Sequence, residues 1–138
     1  MRSRLTALAP AGALVLALAL APAGAAEDPI IGTWQTAPGE DGGVLHVEMA
    51  LCGARFCGTI VKAVNAAGEV GRDYEHLGKP MVRDMRADGG GRYSGGQIWA
   101  PDEDKTYGLR LRLTEAGLAV RGCILGFCRD AGVWVRVD

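Results

Sequence analysis

Apolar residues alternate with polar ones over short runs along most of this chain. The clearest cases are Leu45, Val47 and Met49 with His46 and Glu48 between them, Tyr107, Leu109, Leu111 and Leu113 with Arg110 and Arg112 between, and Val133, Val135 and Val137. A period of two places successive side chains on opposite faces, so each run reads as a strand with one apolar face and one wet face. The same criterion, together with enrichment in β-branched, leucine and aromatic residues, marks eight runs: 30–36, 44–51, 57–64, 80–85, 92–100, 106–114, 117–124 and 132–137. Turn-forming residues separate them, among them Pro38-Gly39, Ala67-Gly68, Gly89-Gly90-Gly91, Pro101-Asp102 and Glu115-Ala116-Gly117. No helical period of ten or more residues interrupts the series.

Eight short strands with tight connections predict an all-β fold, an antiparallel up-and-down meander closed into a barrel, with a sandwich as the other solution. Closure removes exposed sheet edges, and at eight strands the interior is just wide enough to be filled by side chains or to hold one small ligand. The stretch Asn65 to Lys79, with Gly68, Gly71 and Gly78 among charged residues, predicts a mobile surface loop flanking a barrel mouth. The 21 glycines in 138 residues are about twice the usual share near 7%, which fits many turns and few helices.

The first 26 residues do not belong to this pattern. Arg2 and Arg4 precede an apolar stretch from Leu5 to Leu20, which ends in Ala21-Pro22-Ala23-Gly24-Ala25-Ala26. This is the three-part organisation of a secretory signal peptide, with cleavage expected after Ala25 or Ala26. About 16 apolar residues interrupted by Pro10 and Gly12 fall short of the roughly 20 that a membrane-spanning helix needs. Residues 1–26 are therefore read as a cleaved leader and 27–138 as one domain, free in the periplasm of a Gram-negative cell or outside it.

Charge narrows the choice of partner. Fifteen basic residues against 16 acidic ones give no electrostatic footprint for nucleic acid. No membrane span is expected in the mature chain, and no cofactor.

The four cysteines form two similar clusters, Cys52-Gly53-Ala54-Arg55-Phe56-Cys57 and Cys123-Ile124-Leu125-Gly126-Phe127-Cys128. An even number in an exported protein favours disulfides, and four cysteines permit three pairings. Loop entropy alone favours a long link such as Cys52 to Cys128, about 4.5 kcal/mol against about 2.2 kcal/mol for a six-residue loop. Each cluster, however, falls where one strand ends and the next begins, so hairpin geometry favours Cys52 with Cys57 and Cys123 with Cys128. The alternative of a four-thiolate zinc site has spacing at the edge of the usual range and sits in an oxidising compartment, so no metal is expected.

Candidate chemistry is sparse. His46 lies on the polar face of a strand, and His76 lies in the long loop beside Asp73 and Glu75, where it could act as a general base in a hydrolase. Ser3 leaves with the leader, and Ser94 lacks a nucleophile-elbow context. Asp102, Glu103 and Asp104 lack calcium-loop spacing and read as a charged turn. No catalytic residue is assigned. Tyr93, Gln97 and Trp99 fall on one face of a strand read with strict alternation, and with Tyr107, Met49, Leu109 and Leu111 they are the candidates for lining a ligand pocket, Gln97 being the polar group that orients the ligand. Plain core packing is the competing reading.

Gly32-Thr33-Trp34-Gln35-Thr36, Cys52 to Cys57 with Gly58-Thr59-Ile60, Gly95-Gly96-Gln97-Ile98-Trp99 with Pro101, Lys105 and Tyr107, and Val120-Arg121-Gly122-Cys123 through Cys128 to Trp134-Val135-Arg136-Val137 together resemble the bacterial exported proteins of domain of unknown function 2147. The resemblance covers nearly the whole of residues 27–138 and implies a lipocalin-like, calycin-type barrel. Gly32-x-Trp34 also resembles the opening of lipocalin barrels, which implies a structural role for Gly32 and Trp34 at the closed end, with Arg136 or Arg121 stacking on the tryptophan. Trp99 and Ala100, in place of a tyrosine and an acidic or amide residue, and Asp104, in place of a turn glycine, depart from the family pattern. The function these features predict is binding of a small apolar or amphipathic ligand, with an envelope interaction module as the alternative and a hydrolase as a third.

Overall fold

The computed structural model describes residues 3, 6–17 and 27–138. The expected cleavage junction, Arg2 and Arg4 lie outside the described residues. Residues 6–17 form no helix or strand and are exposed, and no helix among the described residues is long and apolar enough to cross a membrane.

From residue 32 the chain is one closed antiparallel barrel. Its strands are β1 (Gly32–Gln35), β2 (Val44–Cys52), β3 (Arg55–Val64), β4 (Pro80–Gly89), β5 (Arg92–Ala100), β6 (Lys105–Thr114), β7 (Gly117–Ile124) and β8 (Phe127–Arg136). Each strand pairs with its neighbours in sequence, and β1 closes on β8 through Trp34 opposite Arg136 and Gln35 opposite Val135. The eight-strand up-and-down fold expected from alternation is the one present.

Two strands are four residues longer than alternation implied. β4 continues to Gly89 and β8 begins at Phe127, because Arg86-Ala87-Asp88 and Cys128-Arg129-Asp130 carry no apolar alternation although their backbones still pair. On β8 the apparent apolar face is also reversed. Val133, Val135 and Val137 point outward at 39%, 43% and 41% exposure, while Trp134 is buried. An outer barrel wall tolerates valine, and burying the indole removes more apolar area from water than burying a valine does.

Inward residues fill the end of the barrel where β1 begins. Ile30, Val47, Met49, Ile60, Val82, Met85 and Leu118 have no exposure, and Trp34, Phe56, Tyr93, Leu109 and Leu111 are nearly as buried. That end is sealed by the segment before β1. The Trp34 indole donates to the Ile30 carbonyl at 2.8 Å, and the Arg136 guanidinium stands 4.3 Å from the Trp34 ring while donating to the carbonyls of Ile31 and Pro29. Arg121 instead reaches the Cys128 carbonyl, away from Trp34. The Tyr93 hydroxyl donates to the Asp28 carboxylate, which also accepts the Ile30 N–H at 3.0 Å, and Tyr93 meets Phe56 edge to face.

Both cysteine clusters form local bridges, Cys52–Cys57 across the β2–β3 turn and Cys123–Cys128 across the β7–β8 turn, and no free cysteine is left.

Candidate functional site

Small residues leave the other end of the barrel hollow. A cavity of about 720 Å³ opens there, within the roughly 300–1,000 Å³ range of ligand pockets. Its floor is apolar: Leu45 from β2, Ala63 from β3, Met81 from β4, Ile98 from β5, Val120 from β7 and Trp134 from β8. Its walls are the connections β1–β2, β3–β4 and β5–β6.

The long β3–β4 connection does flank this mouth, and it is tied to the barrel. Asn65 accepts the backbone N–H groups of Ala67 and Glu69 on its side-chain oxygen, the Gly71 N–H donates to the Ala63 carbonyl, and Gly78 and Lys79 bond to both backbone groups of Ile60. Tyr74 is thereby presented to the cavity.

Carboxylates ring the rim. Glu40 and Asp41 come from the first connection, Glu69 and Asp73 from the second, and Asp102 and Glu103 from the third. A Cβ placed on Gly39 would lie 3.2 Å from an Asp102 carboxylate oxygen and 3.4 Å from one of Asp41, so both carboxylates reach Gly39 at the mouth. The Tyr74 phenol is held above its ordinary pKa by partial burial first, then by the negative charges of Asp102, Glu75 and Asp41.

None of the seven residues singled out as pocket candidates lines this cavity. Met49, Tyr93, Leu109 and Leu111 belong to the filled core beneath it. Tyr107 lies over Gly122, with its hydroxyl on Glu103. Gln97 and Trp99 do not share a face with Tyr93. The β5–β6 pairing shifts between Tyr93 and Gly96, with Gly95 at φ +82°, and this bulge turns Gln97 and Trp99 to the outer wall. There they line a second, smaller depression of about 370 Å³ with Lys79, Pro80, Met81, Arg83 and Thr106.

Trp99 and Asp104 meet at this outer corner. Asp104 holds φ +48°, a conformation easier for glycine, and its carboxylate accepts the Trp99 indole N–H at 2.9 Å. Trp99 also packs edge to face on His76, whose ring meets Tyr74 on its other side. Ala100 lines the main cavity.

The histidines sit in structural contacts. His76 Nδ1 is 2.9 Å from Lys79 Nζ and its Nε2 is 3.3 Å from Glu75, with no hydroxyl or thiol among these partners. His46 faces outward, 3.2 Å from the Gln35 amide oxygen, its pKa pushed down by burial and then by Lys62. The Ser94 hydroxyl donates to Asp88. Among the described residues no three histidine, cysteine or acidic side chains converge to hold a metal ion.

Alternation could not have located the real cavity, because its walls are loop residues and its space comes from small side chains. The clustering of acidic residues in three separate connections was visible in the sequence, but only closure of the barrel brings them to one rim.

Residues 32–136 match a family model described as an uncharacterized protein conserved in bacteria, DUF2147. Among solved structures, the chain is similar to protein HP1028 from Helicobacter pylori, described as belonging to the lipocalin family, with a TM-score of 0.61 and 17% identity over 79% of this chain and 83% of that one. At that identity the likeness is one of fold. None of the curated proteins matches.

Proposed function

The chain belongs to the DUF2147 family of bacterial proteins, and we propose that it is an exported binding barrel that takes a small apolar or amphipathic ligand into the open end of its lipocalin-like fold. The observation that carries this reading is the cavity of about 720 Å³ with an apolar floor above a filled core. A floor of aliphatic side chains and one indole, with polar groups confined to the rim, is how sites for such ligands are built. Export is supported by the leader-like residues 1–26 and by the two disulfides, which persist in oxidising compartments.

A neutral apolar fluorophore titrated into the protein is expected to bind once per chain and to quench Trp134. Ala63→Phe, which projects a ring into the floor, is expected to abolish that binding while the protein stays folded. Absence of saturable binding by the unsubstituted protein, or equal binding by the filled variant, would remove the proposal. Export is read by the mass of the mature N-terminus, which is expected to begin at Ala26 or Glu27.

One observation favours a second reading, docking to an envelope partner. The β7–β8 turn, clamped by Cys123–Cys128, holds Ile124, Leu125 and Phe127 outward at 56%, 92% and 82% exposure. Loss of a cross-linked envelope partner in Leu125→Ser, with fluorophore binding intact, would support that reading over the first.

A further inference from the structure

The cavity has a polarity that its apolar floor does not determine. Every ionisable side chain that lines it, tyrosine apart, is a carboxylate: Glu40, Asp41, Glu69, Asp73, Asp102 and Glu103. No lysine, arginine or histidine lines it, and among the described residues none of the six takes part in an ion pair. Like charges gathered at the mouth of a low-dielectric pocket focus a negative potential on whatever enters.

We infer that the ligand is a cationic amphiphile, an apolar body carrying an amine or quaternary ammonium head, with the head lodged between Asp41 and Asp102 against the Tyr74 ring. This rests on the binding reading above and specifies its ligand class. Three features converge on one place. Asp41 and Asp102 both reach Gly39 from different connections, Tyr74 lines the same cavity within their field, and the apolar floor lies beneath. An aromatic face flanked by carboxylates is a recurrent cradle for ammonium groups. A carboxylate-headed lipid would instead bring its charge into six of the same sign. The chemistry also separates an organic cation from a metal ion, since among the described residues no three acidic side chains come close enough together to coordinate one.

The test is isothermal titration of the whole protein with three probes that share a ten-carbon chain, each below its micelle concentration or solubility limit: decyltrimethylammonium, decan-1-ol and decanoate. The expected order is the cation tightest, by about tenfold over the alcohol at low salt, with decanoate weakest. The double variant Asp41→Asn with Asp102→Asn is expected to bring the cation to the affinity of the alcohol and leave the alcohol unchanged. Asparagine keeps the side-chain oxygen that accepts the Gly43 N–H, so the turn is retained. Alcohol binding as tight as the cation, or a cation preference that survives the double substitution, overturns the charge inference and leaves the binding barrel standing. Failure of all three probes to bind overturns both.

Discussion

Gly96 offers the sharpest test of how the barrel wall is built. Two irregularities face each other across β4 and β5: Asp84 at φ +56° on one strand and Gly95 at φ +82° on the other. Gly96 sits where they meet. A Cβ there would overlap the Arg83 carbonyl oxygen and lie 2.5 Å from Met85 Sδ and 2.8 Å from the Asp84 carbonyl carbon. Two of those three atoms are backbone, held by the strand pairing, so they cannot swing aside as a side-chain tip does. Overpacking against movable side chains costs about 1–3 kcal/mol, and an obstacle made of backbone places Gly96→Ala at or above about 3 kcal/mol. That is a large share of the roughly 5–15 kcal/mol that holds a domain of this size together.

Two other glycines calibrate the estimate. Gly53 has φ +67° and a Cβ added there would meet nothing within 4 Å, so Gly53→Ala carries only the left-handed backbone cost of about 1 kcal/mol. A Cβ on Gly58 would lie 2.6 Å from Met49 Sδ, 2.8 Å from Val47 Cγ1 and 3.2 Å from Val82 Cβ, which are side-chain atoms, so Gly58→Ala falls between the two. Urea unfolding with both disulfides intact, followed by tryptophan fluorescence, is expected to rank the losses Gly96, Gly58, Gly53 at unchanged m-value. A Gly96→Ala loss within 1 kcal/mol of the Gly53→Ala loss would refute the claim that backbone closes this corner.

Three further outcomes follow from the closed end and the bridges. The Tyr93 phenol is pushed far above its ordinary pKa by burial and by its bond to Asp28, so the folded state favours the neutral phenol. Its stabilising contribution is full below the unfolded pKa near 10 and is lost as pH rises past it, so a pH series of melting temperatures is expected to fall more steeply above pH 10 in the native protein than in Tyr93→Phe, which at neutral pH loses about 1 kcal/mol. Replacing either cysteine pair by serines is expected to cost about 2 kcal/mol in denaturant titrations, and removing both pairs to give the sum, since each bridge closes its own short loop. Arg136→Lys keeps the charge but not the planar fork that stacks on Trp34 while reaching two carbonyls, so the thermal midpoint is expected to drop nearly as far as in Arg136→Ala.

Alternation disclosed the number and order of the strands because most of the wall obeys it: Leu45, Val47 and Met49 point inward on β2, and Leu109 and Leu111 on β6. It failed where the backbone departs from a regular pleat. A bulge moves every residue beyond it to the other face, and nothing in Gly95-Gly96 by itself distinguishes a bulge from a turn or a close approach of two strands. Gln97 and Trp99 were therefore placed inside when they lie outside. On β8 the ambiguity was one of phase, since three valines and one tryptophan on opposite faces both look like cores. The bridges were legible because two cysteines at the ends of one tight turn have little freedom to find other partners.

The division of the barrel into a filled end and a hollow end follows from side-chain size along single strands. On β3, Phe56 and Ile60 are buried in the core, and Ala63 at the far end of the same strand borders the cavity. On β5, Tyr93 fills and Ala100 does not, and on β8 Trp134 makes the floor and Ala131 the wall above it. An eight-strand interior holds few side chains in each layer, so one small residue on several strands at the same height empties that layer. A layer left unfilled forgoes the apolar burial that larger side chains would supply there. The filled half supplies the stability, through the buried core and the seal that Trp34, Arg136 and Tyr93 make with the segment before β1. That leaves the upper layer free to be shaped by its loops, and those loops carry acidic residues in all three connections, which is the pattern expected where the rim selects by charge what the floor accepts by size.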